Sequence, residues 1–124
     1  MENHNKEVGA IGEHKASLYL KNHGYKILER NFFAKTGEID IIAQKDGIVA
    51  FVEVKTRMQE VYGKPAEAVN YYKQKNIIKT AQLYLMKCGF EKECRFDVIE
   101  VYLKKNVFGY KAKINHIENA FGEF

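Results

Sequence analysis

The sequence predicts a single α/β domain in which a mixed sheet is flanked by helices. Its helical and extended patterns follow the order helix, three strands, helix, two strands, and the first three strands are joined by short connections. Short connections give antiparallel pairs, whereas a strand that follows a helix can return parallel through a right-handed crossover. With 124 residues and 46% hydrophobic content, the chain is long enough for one such core and too short for two.

Two helices are indicated by apolar residues at helical spacing. From Asn5 to His23 apolar or small residues recur every three or four positions, and Gly24 follows as a left-handed cap. The second helix is predicted to open near Pro65 and to run to about Leu85. Asn70 is also a plausible cap, so the pattern leaves open whether the helix breaks there.

Five strands are indicated by runs of β-branched and aromatic residues between turn residues. They are predicted at Tyr25–Asn31, Glu38–Gln44, Ile48–Thr56, Cys94–Leu103 and Tyr110–Ile117. The second and third strands are separated by Asp46-Gly47, which is typical of two-residue hairpin turns. A β-hairpin is therefore predicted near the middle of the chain.

The composition restricts the possible partners and location of the protein. Lysine and arginine number 20 against 16 acids, and the resulting net charge of +4 favours a polyanionic partner without requiring one. The first residues lack the apolar core of a signal peptide, and no apolar run is long enough to span a membrane. We therefore expect a cytoplasmic protein with no membrane partner, in which Cys88 and Cys94 are reduced, partly buried thiols.

Four charged residues lie among the isoleucines and valines of the predicted hairpin. Glu38 and Asp40 are on its first strand, and Glu53 and Lys55 are on its second. A two-residue turn at Asp46-Gly47 would place Asp40 opposite Glu53 and Glu38 opposite Lys55. Because side chains alternate along a strand, all four would project from one face.

Both faces of this hairpin also carry apolar residues. The face opposite the acids is predicted to carry Ile39, Ile41, Ala43, Val52 and Val54, and the charged face also carries Ile42, Val49 and Phe51. A sheet that is apolar on both faces is buried on both. The acids are therefore expected at the rim of a covered surface. The alternative is a half-exposed hairpin in which Glu38 and Lys55 form an ion pair.

Directly opposed carboxylates repel each other unless a positive charge lies between them. Mg²⁺ or Mn²⁺ takes oxygen ligands and retains several waters, so Asp40, Glu53 and the carbonyl oxygen of Val54 would suffice as protein ligands. Lys55 would then orient a nucleophilic water or stabilise charge on a phosphate. We expect Glu38 to support these ligands or to form an ion pair rather than to bind the ion directly.

Basic and aromatic residues are interleaved after the hairpin. They are Arg57, Lys64, Lys73 and Lys75, with Tyr62, Tyr71 and Tyr72 between them. Lysines suit a phosphate backbone and aromatic rings suit unpaired bases, so the group predicts a nucleic-acid channel beside the metal site. The alternative for each lysine is a solvated helix position. Arg95 and Asp97 are expected to pair with each other or to support the site from a neighbouring strand, and His116 to make a local hydrogen bond.

Asp40 followed by Glu53-Val54-Lys55 resembles the PD-(D/E)XK signature of nucleases with a restriction-endonuclease-like fold, although Ile39 replaces the proline of that signature. Longer segments resemble the YraN family of predicted endonucleases, which are similar to Holliday junction resolvases. The matching segments are "GAIGEHKASLYLKNHGYKILERN", "GEIDIIA", "FVEVKTR", "YGKPAEAV", "RFDVIEV" and "HIENAF". They cover nearly the whole chain and keep the family's order.

The resemblance implies a restriction-endonuclease-like fold and a Mg²⁺- or Mn²⁺-dependent endonuclease. Its substrate would be DNA rather than RNA, with branched or junction DNA as a candidate, and a homodimer would suit symmetrical junction cutting. A catalytically inactive nucleic-acid-binding module on the same scaffold is the alternative. The resemblance also implies that Glu13 lies near the metal; otherwise it is a glutamate favoured by the helix dipole. Gly9 and Gly12 would let the first helix pack closely on the sheet.

Overall fold

The computed structural model describes residues 2–59, 69–89 and 92–122, with side chains from His4 onward. These ranges form two helices and five strands in the predicted order. The elements are α1 Glu2–Asn22, β1 Lys26–Ala34, β2 Gly37–Lys45, β3 Ile48–Met58, α2 Tyr71–Cys88, β4 Cys94–Asn106 and β5 Gly109–Phe121. Of the residues discussed above, Tyr62, Lys64 and Pro65 lie outside the described ranges.

The strands form one mixed sheet in the order β1-β2-β3-β4-β5. Neighbouring strands are antiparallel except for β3 and β4, which are parallel and are separated in the chain by α2. The helices lie on opposite faces: α1 contributes Ala16 and Leu20 to one core, and α2 contributes Ile77 and Tyr84 to the other. The predicted α/β class, the meander of the first three strands and the parallel return are all confirmed.

The ends of both helices are set by residues visible in the sequence. Gly24, just after α1, has a φ of 87°, as expected for a left-handed cap. Asn70 caps α2 by accepting a hydrogen bond from the Lys73 amide, and Gly89 ends the helix with a φ of 70°. In the described part of the chain, α2 therefore begins directly after Asn70. Neither helix is both long and apolar enough to cross a membrane within the described residues.

The β2–β3 hairpin has the predicted two-residue turn. Asp46 and Gly47 both have positive φ, 53° and 78°, as a type I′ turn requires. The register follows the prediction from the Lys45–Ile48 pair to the Ile41–Val52 pair. The paired ladder ends there, so it includes neither of the two charged pairs predicted beyond it.

Both faces of the hairpin are buried, as predicted. Ile41 and Val52 lie in the core under α1, whereas Ile42 and Phe51 lie in the core under α2. Ile39 was predicted on the face opposite the acids, together with Ile41. It packs under α2 instead, so this prediction is wrong. The alternation of side chains is interrupted at the next residue, whose carboxylate turns toward the β3 backbone.

The contact between α1 and β3 depends on a glycine. A Cβ atom at Gly12 would overlap the Thr56 side chain, so the predicted close packing is confirmed there. At Gly9 a Cβ atom would meet nothing within 4 Å, so the same prediction is wrong. Cys88 and Cys94 are free but exposed, which corrects the expectation of partial burial.

Candidate functional site

A cavity of about 330 Å³ lies just past the end of the β2–β3 ladder, beside the first turns of α2. Three of the predicted acids line it, namely Glu38, Asp40 and Glu53. From α2, Lys73 and Asn76 complete its polar wall. The fold therefore gathers the acids of two strands with a lysine that is distant from both in sequence.

Asp40 is held by the backbone of the neighbouring strand. The Val54 amide donates a hydrogen bond of 2.8 Å to Asp40 Oδ2. This bond takes the place of a ladder interaction, because a buried amide must find a partner once the paired strands diverge. The side chain of Asp40 is thereby fixed next to the Glu53-Val54-Lys55 segment.

Glu53 lies close enough to Asp40 to influence the ionisation of Asp40. Burial raises the pKa of Asp40 to about 7, and the negative charge of Glu53 contributes to the same shift. The Val54 hydrogen bond and the Lys73 charge act in the opposite direction and only partly compensate. Two ionised carboxylates are therefore unfavourable here at neutral pH without a further cation.

Within residues 2–59, 69–89 and 92–122, Lys73 supplies the positive charge that pairs with these acids. Its ammonium forms an ion pair with Glu53 Oε1; the Glu53 side chain is 7% exposed and that of Lys73 is 49% exposed. Burial lowers the pKa of Lys73, but the hydrogen bond and charge of Glu53 outweigh it, so the pKa is raised overall. Lys73 was predicted as a nucleic-acid contact, and its bond to Glu53 was not predicted.

One feature of the sequence does indicate that Lys73 is unusual. It lies in the first turn of α2, where the helix dipole disfavours cations, and that turn has no acidic residue. A lysine at the wrong end of a helix suggests that another group binds it. The pattern alone does not identify Glu53 as that group.

Glu13 reaches the same acids from α1. The Asn31 amide, oriented so that its nitrogen faces the carboxylates, donates to Glu13 Oε1 at 2.8 Å and to Glu38 Oε1 at 3.2 Å. Burial raises the pKa of Glu13, Arg30 lowers it, and the charges of Glu38 and Glu53 raise it further. Asn31 therefore bridges the glutamate of the first helix to the acid cluster, and it does so with a positive φ of 54°.

Lys55 was predicted to lie beside the metal ligands. It is half-buried on β3, where its partner in the parallel ladder is Glu100 of β4, and it is not among the described residues that line the cavity. The Val54 amide is adjacent to Asp40, whereas a metal bond from the Val54 carbonyl stays a prediction. The roles assigned to Lys55 likewise stay predictions.

The remaining basic and aromatic candidates surround the cavity less closely. Arg57 is half-buried on β3, and Lys75 places its ammonium 5.0 Å from the centre of the Tyr71 ring. Tyr72 is exposed at the start of α2. Lys64 lies outside the described residues.

Arg95, Asp97 and His116 form a separate structural network. Arg95 binds both carboxylate oxygens of Asp97, at 2.8 and 2.9 Å, and His116 Nε2 lies 2.8 Å from Oδ2. Burial raises the pKa of Asp97, but the bonds from His116 and Arg95 outweigh it and leave the pKa lowered. The Asn119 amide of β5 also donates to Asp97. The predicted Arg95–Asp97 pairing is confirmed, whereas His116 bonds to the neighbouring strand and not locally, so that prediction is wrong.

The side chains of the cavity fit only certain metals. Among the described residues, no three His, Cys, Asp or Glu side chains are grouped as metal ligands, so the candidate donors are the two carboxylates of Asp40 and Glu53. Mg²⁺ commonly binds through one or two carboxylates and keeps several waters, whereas zinc sites use more protein ligands. The oxygen donors therefore suit Mg²⁺ or Mn²⁺.

Comparison with known proteins gives the family of the chain. The model of the uncharacterised protein family UPF0102 matches residues 12–101. The chain belongs to the UPF0102 family. A UPF0102 protein of Clostridium botulinum strain 657 is 51% identical over 119 residues, covering 94% of this chain and 95% of the relative. A UPF0102 protein of Caldanaerobacter subterraneus is 50% identical over 117 residues, with the same coverage of both chains.

This membership confirms the family resemblance drawn from the motifs, since YraN proteins are members of UPF0102. The matched range contains Glu13, Asp40, Glu53, Lys55 and Lys73. The description of the family and the names of these relatives state no activity. The function therefore has to be argued from the site.

Proposed function

We propose that this UPF0102 protein is a metal-dependent endonuclease that hydrolyses phosphodiester bonds in DNA. The proposal rests mainly on the shared cavity of Asp40 and Glu53, in which burial and mutual repulsion raise the pKa of Asp40. One bound divalent cation neutralises two carboxylates arranged in this way, and this is more favourable than protonating each of them separately. The net charge of +4 supports a polyanionic substrate.

Asp40 and Glu53 would hold Mg²⁺ or Mn²⁺ in the cavity, with the Val54 carbonyl as a third donor. The Val54 amide keeps the Asp40 carboxylate in place before the ion arrives, so little reorganisation is needed. When bound, the ion polarises a phosphoryl oxygen and makes a coordinated water more acidic. Glu13 and Glu38, joined through Asn31, add acceptors that orient water at the rim.

Two lysines would act on the phosphate from different elements. Lys73 would be released from Glu53 if the acids held the ion, and its ammonium could then contact a phosphate oxygen on the α2 side. Lys55, which follows Glu53 on the same strand, positions the water or stabilises charge on the phosphate. Arg57, Lys75 and Tyr72 would contact the substrate farther from the reaction.

A second candidate is a nucleic-acid-binding module that does not cut. The observation that favours it is the Lys73–Glu53 ion pair, which neutralises part of the acid cluster without a metal. Calorimetry with Mn²⁺ separates the two functions. Absence of binding up to millimolar Mn²⁺, together with retained DNA affinity, would favour the module.

The direct test is cleavage of branched DNA, linear duplex DNA, single-stranded DNA and RNA in Mg²⁺ or Mn²⁺. Asp40→Ala should lose cleavage by about 10³-fold or more, because metal catalysis contributes several kcal/mol. Asp46→Asn is the matched control, since Asp46 is an exposed turn residue at which asparagine tolerates the positive φ. Equal cleavage by wild type and Asp40→Ala would assign the activity to a contaminant or to another site.

A further inference from the structure

The β4–β5 hairpin continues beyond the rest of the sheet. The last described residue pair between β3 and β4 is Met58 with Leu103, so residues 104–110 have no third strand beside them in the described part of the chain. Every residue from Lys104 to Gly109 is exposed. Two large apolar side chains occupy the tip, with Val107 92% exposed and Phe108 95% exposed.

The basic hairpin is defined as residues 104–113, which comprise this projecting segment and the adjoining β5 residues up to Lys113. Residues 101–117 contain four lysines and no acidic residue, so their formal charge equals the +4 of the entire chain. The lysines are Lys104, Lys105, Lys111 and Lys113. Within the described residues, no ion pair neutralises the first three of them.

The pairing of these lysines is itself unfavourable. Lys104 on β4 lies directly opposite Lys111 on β5, and like charges at such positions destabilise a sheet. A polyanion would relieve this repulsion, whereas a second copy of the same hairpin would increase it. An apolar tip between rows of lysines combines an insertion surface with phosphate contacts, which is how proteins that unstack DNA are built.

We propose that the basic hairpin is a wedge that recognises a branch point in DNA. Phe108 stacks on the base left without a neighbour at the branch, and the lysines contact the phosphates on either side. The inference rests on the proposed nuclease function and gives its substrate a class, namely DNA whose base stacking is interrupted. Stacking on an exposed ring does not depend on sequence, so shape rather than sequence sets the specificity.

The distance between the tip and the acids sets where the cut would fall. Val98 is the β4 partner of Glu53, and Lys104 and Lys111 lie on the same face of the sheet as Glu53. The nine steps from Val98 to Val107 span about 30 Å at ~3.3 Å per residue. DNA rises ~3.4 Å per base pair along each strand, so the cut is expected about nine nucleotides from the branch.

Binding without metal tests the wedge separately from cleavage. Fluorescence anisotropy in EDTA would compare the full-length protein on a three-way DNA junction and on a linear duplex of equal length. Phe108→Ala should bind the junction about tenfold more weakly, because one base–aromatic stack is lost, and should bind the duplex nearly as wild type does. Phe33→Ala is the matched control, since Phe33 is 76% exposed on β1, at the opposite edge of the sheet.

Two further readouts distinguish stacking from charge. A 2-aminopurine at the branch should change its fluorescence when Phe108 stacks on it, so the change should occur with wild type and Phe33→Ala but not with Phe108→Ala. Lys104→Ala combined with Lys111→Ala should weaken binding to both DNAs. The slope of log affinity against log salt concentration should also fall by about two, because two phosphate contacts are lost.

Several results would overturn the wedge. One is junction binding and 2-aminopurine fluorescence unchanged by Phe108→Ala. Another is a change in sedimentation with Phe108→Ala, which would make the tip a contact between copies. A third is Phe108-dependent binding to phosphatidylserine vesicles with no junction preference, which would assign the tip to membranes. These assays omit metal. They therefore test the wedge even if the Asp40→Ala experiment refutes the nuclease proposal.

Discussion

Replacing Asp40 with asparagine should stabilise the protein in a pH-dependent way. The native pKa of Asp40 is raised from 3.8 to about 7, so the folded state binds the proton more tightly than the unfolded state does. The penalty for ionising Asp40 is absent below pH 3.8, grows as the pH rises toward 7, and is complete above that value. Asparagine removes this penalty and still offers an oxygen to the Val54 amide.

The size of the effect follows from the same shift. A pKa difference between 3.8 and about 7 corresponds to about 4 kcal/mol at high pH. Because the cavity is open to water on one side, we expect about 2 kcal/mol, or roughly 8 °C in melting temperature for a domain of this length. At pH 4 the difference between Asp40→Asn and wild type should be close to zero.

Urea unfolding at pH 4 and pH 8 in EDTA measures this difference, with Asp46→Asn as the control that should not change with pH. Mn²⁺ added in place of EDTA should then stabilise wild type at pH 8 and leave Asp40→Asn nearly unaffected, because a ligand stabilises only the state that binds it. An equal gap at both pH values, or a wild type more stable than the variant at pH 8, would refute the reasoning.

Two other substitutions test the site and the packing beneath it. Lys73→Met should raise the affinity for Mn²⁺ by up to about fivefold in calorimetry, since the half-exposed ion pair with Glu53 competes with the metal and contributes up to about 1 kcal/mol. Lys75→Met on the same helix should leave the affinity unchanged, and a fall with Lys73→Met would contradict the competition. Gly12→Ala should lower the free energy of unfolding by about 1–3 kcal/mol through overlap with Thr56. Gly9→Ala should instead stabilise α1 by up to about 1 kcal/mol in the same denaturant titration, and equal effects at both glycines would disprove the packing argument.

The parts of the fold that were predicted correctly depend on local chemistry. Asp46-Gly47 supports only a narrow set of turns, so it fixed the register of β2 and β3 as far as the Ile41–Val52 pair. Gly24 likewise fixed the end of α1 through its positive φ. Each of these features is decided within a few residues of the chain, where sequence and conformation are closely linked.

The parts that were missed depend on distances through space. The ladder ends beyond Ile41 because a carboxylate replaces a backbone partner, and spacing along the chain does not predict this exchange. The ion pair of Lys73 joins α2 to β3 across 20 positions of sequence. The helical pattern therefore placed a lysine near the site but did not indicate that Glu53 binds it. The position of Lys55 beside a bound metal stays a prediction, because strand alternation gives the face of the sheet but not a distance.

The buried carboxylate of Asp97 has a mechanical consequence for the projecting hairpin. It bonds Arg95 on its own strand and both His116 and Asn119 on the next, so the two strands are clamped together at their base. Arg95 extends the clamp to the Tyr25 hydroxyl, which lies just after the first helix. A force on the projecting tip would therefore be transmitted through these bonds to the body of the domain.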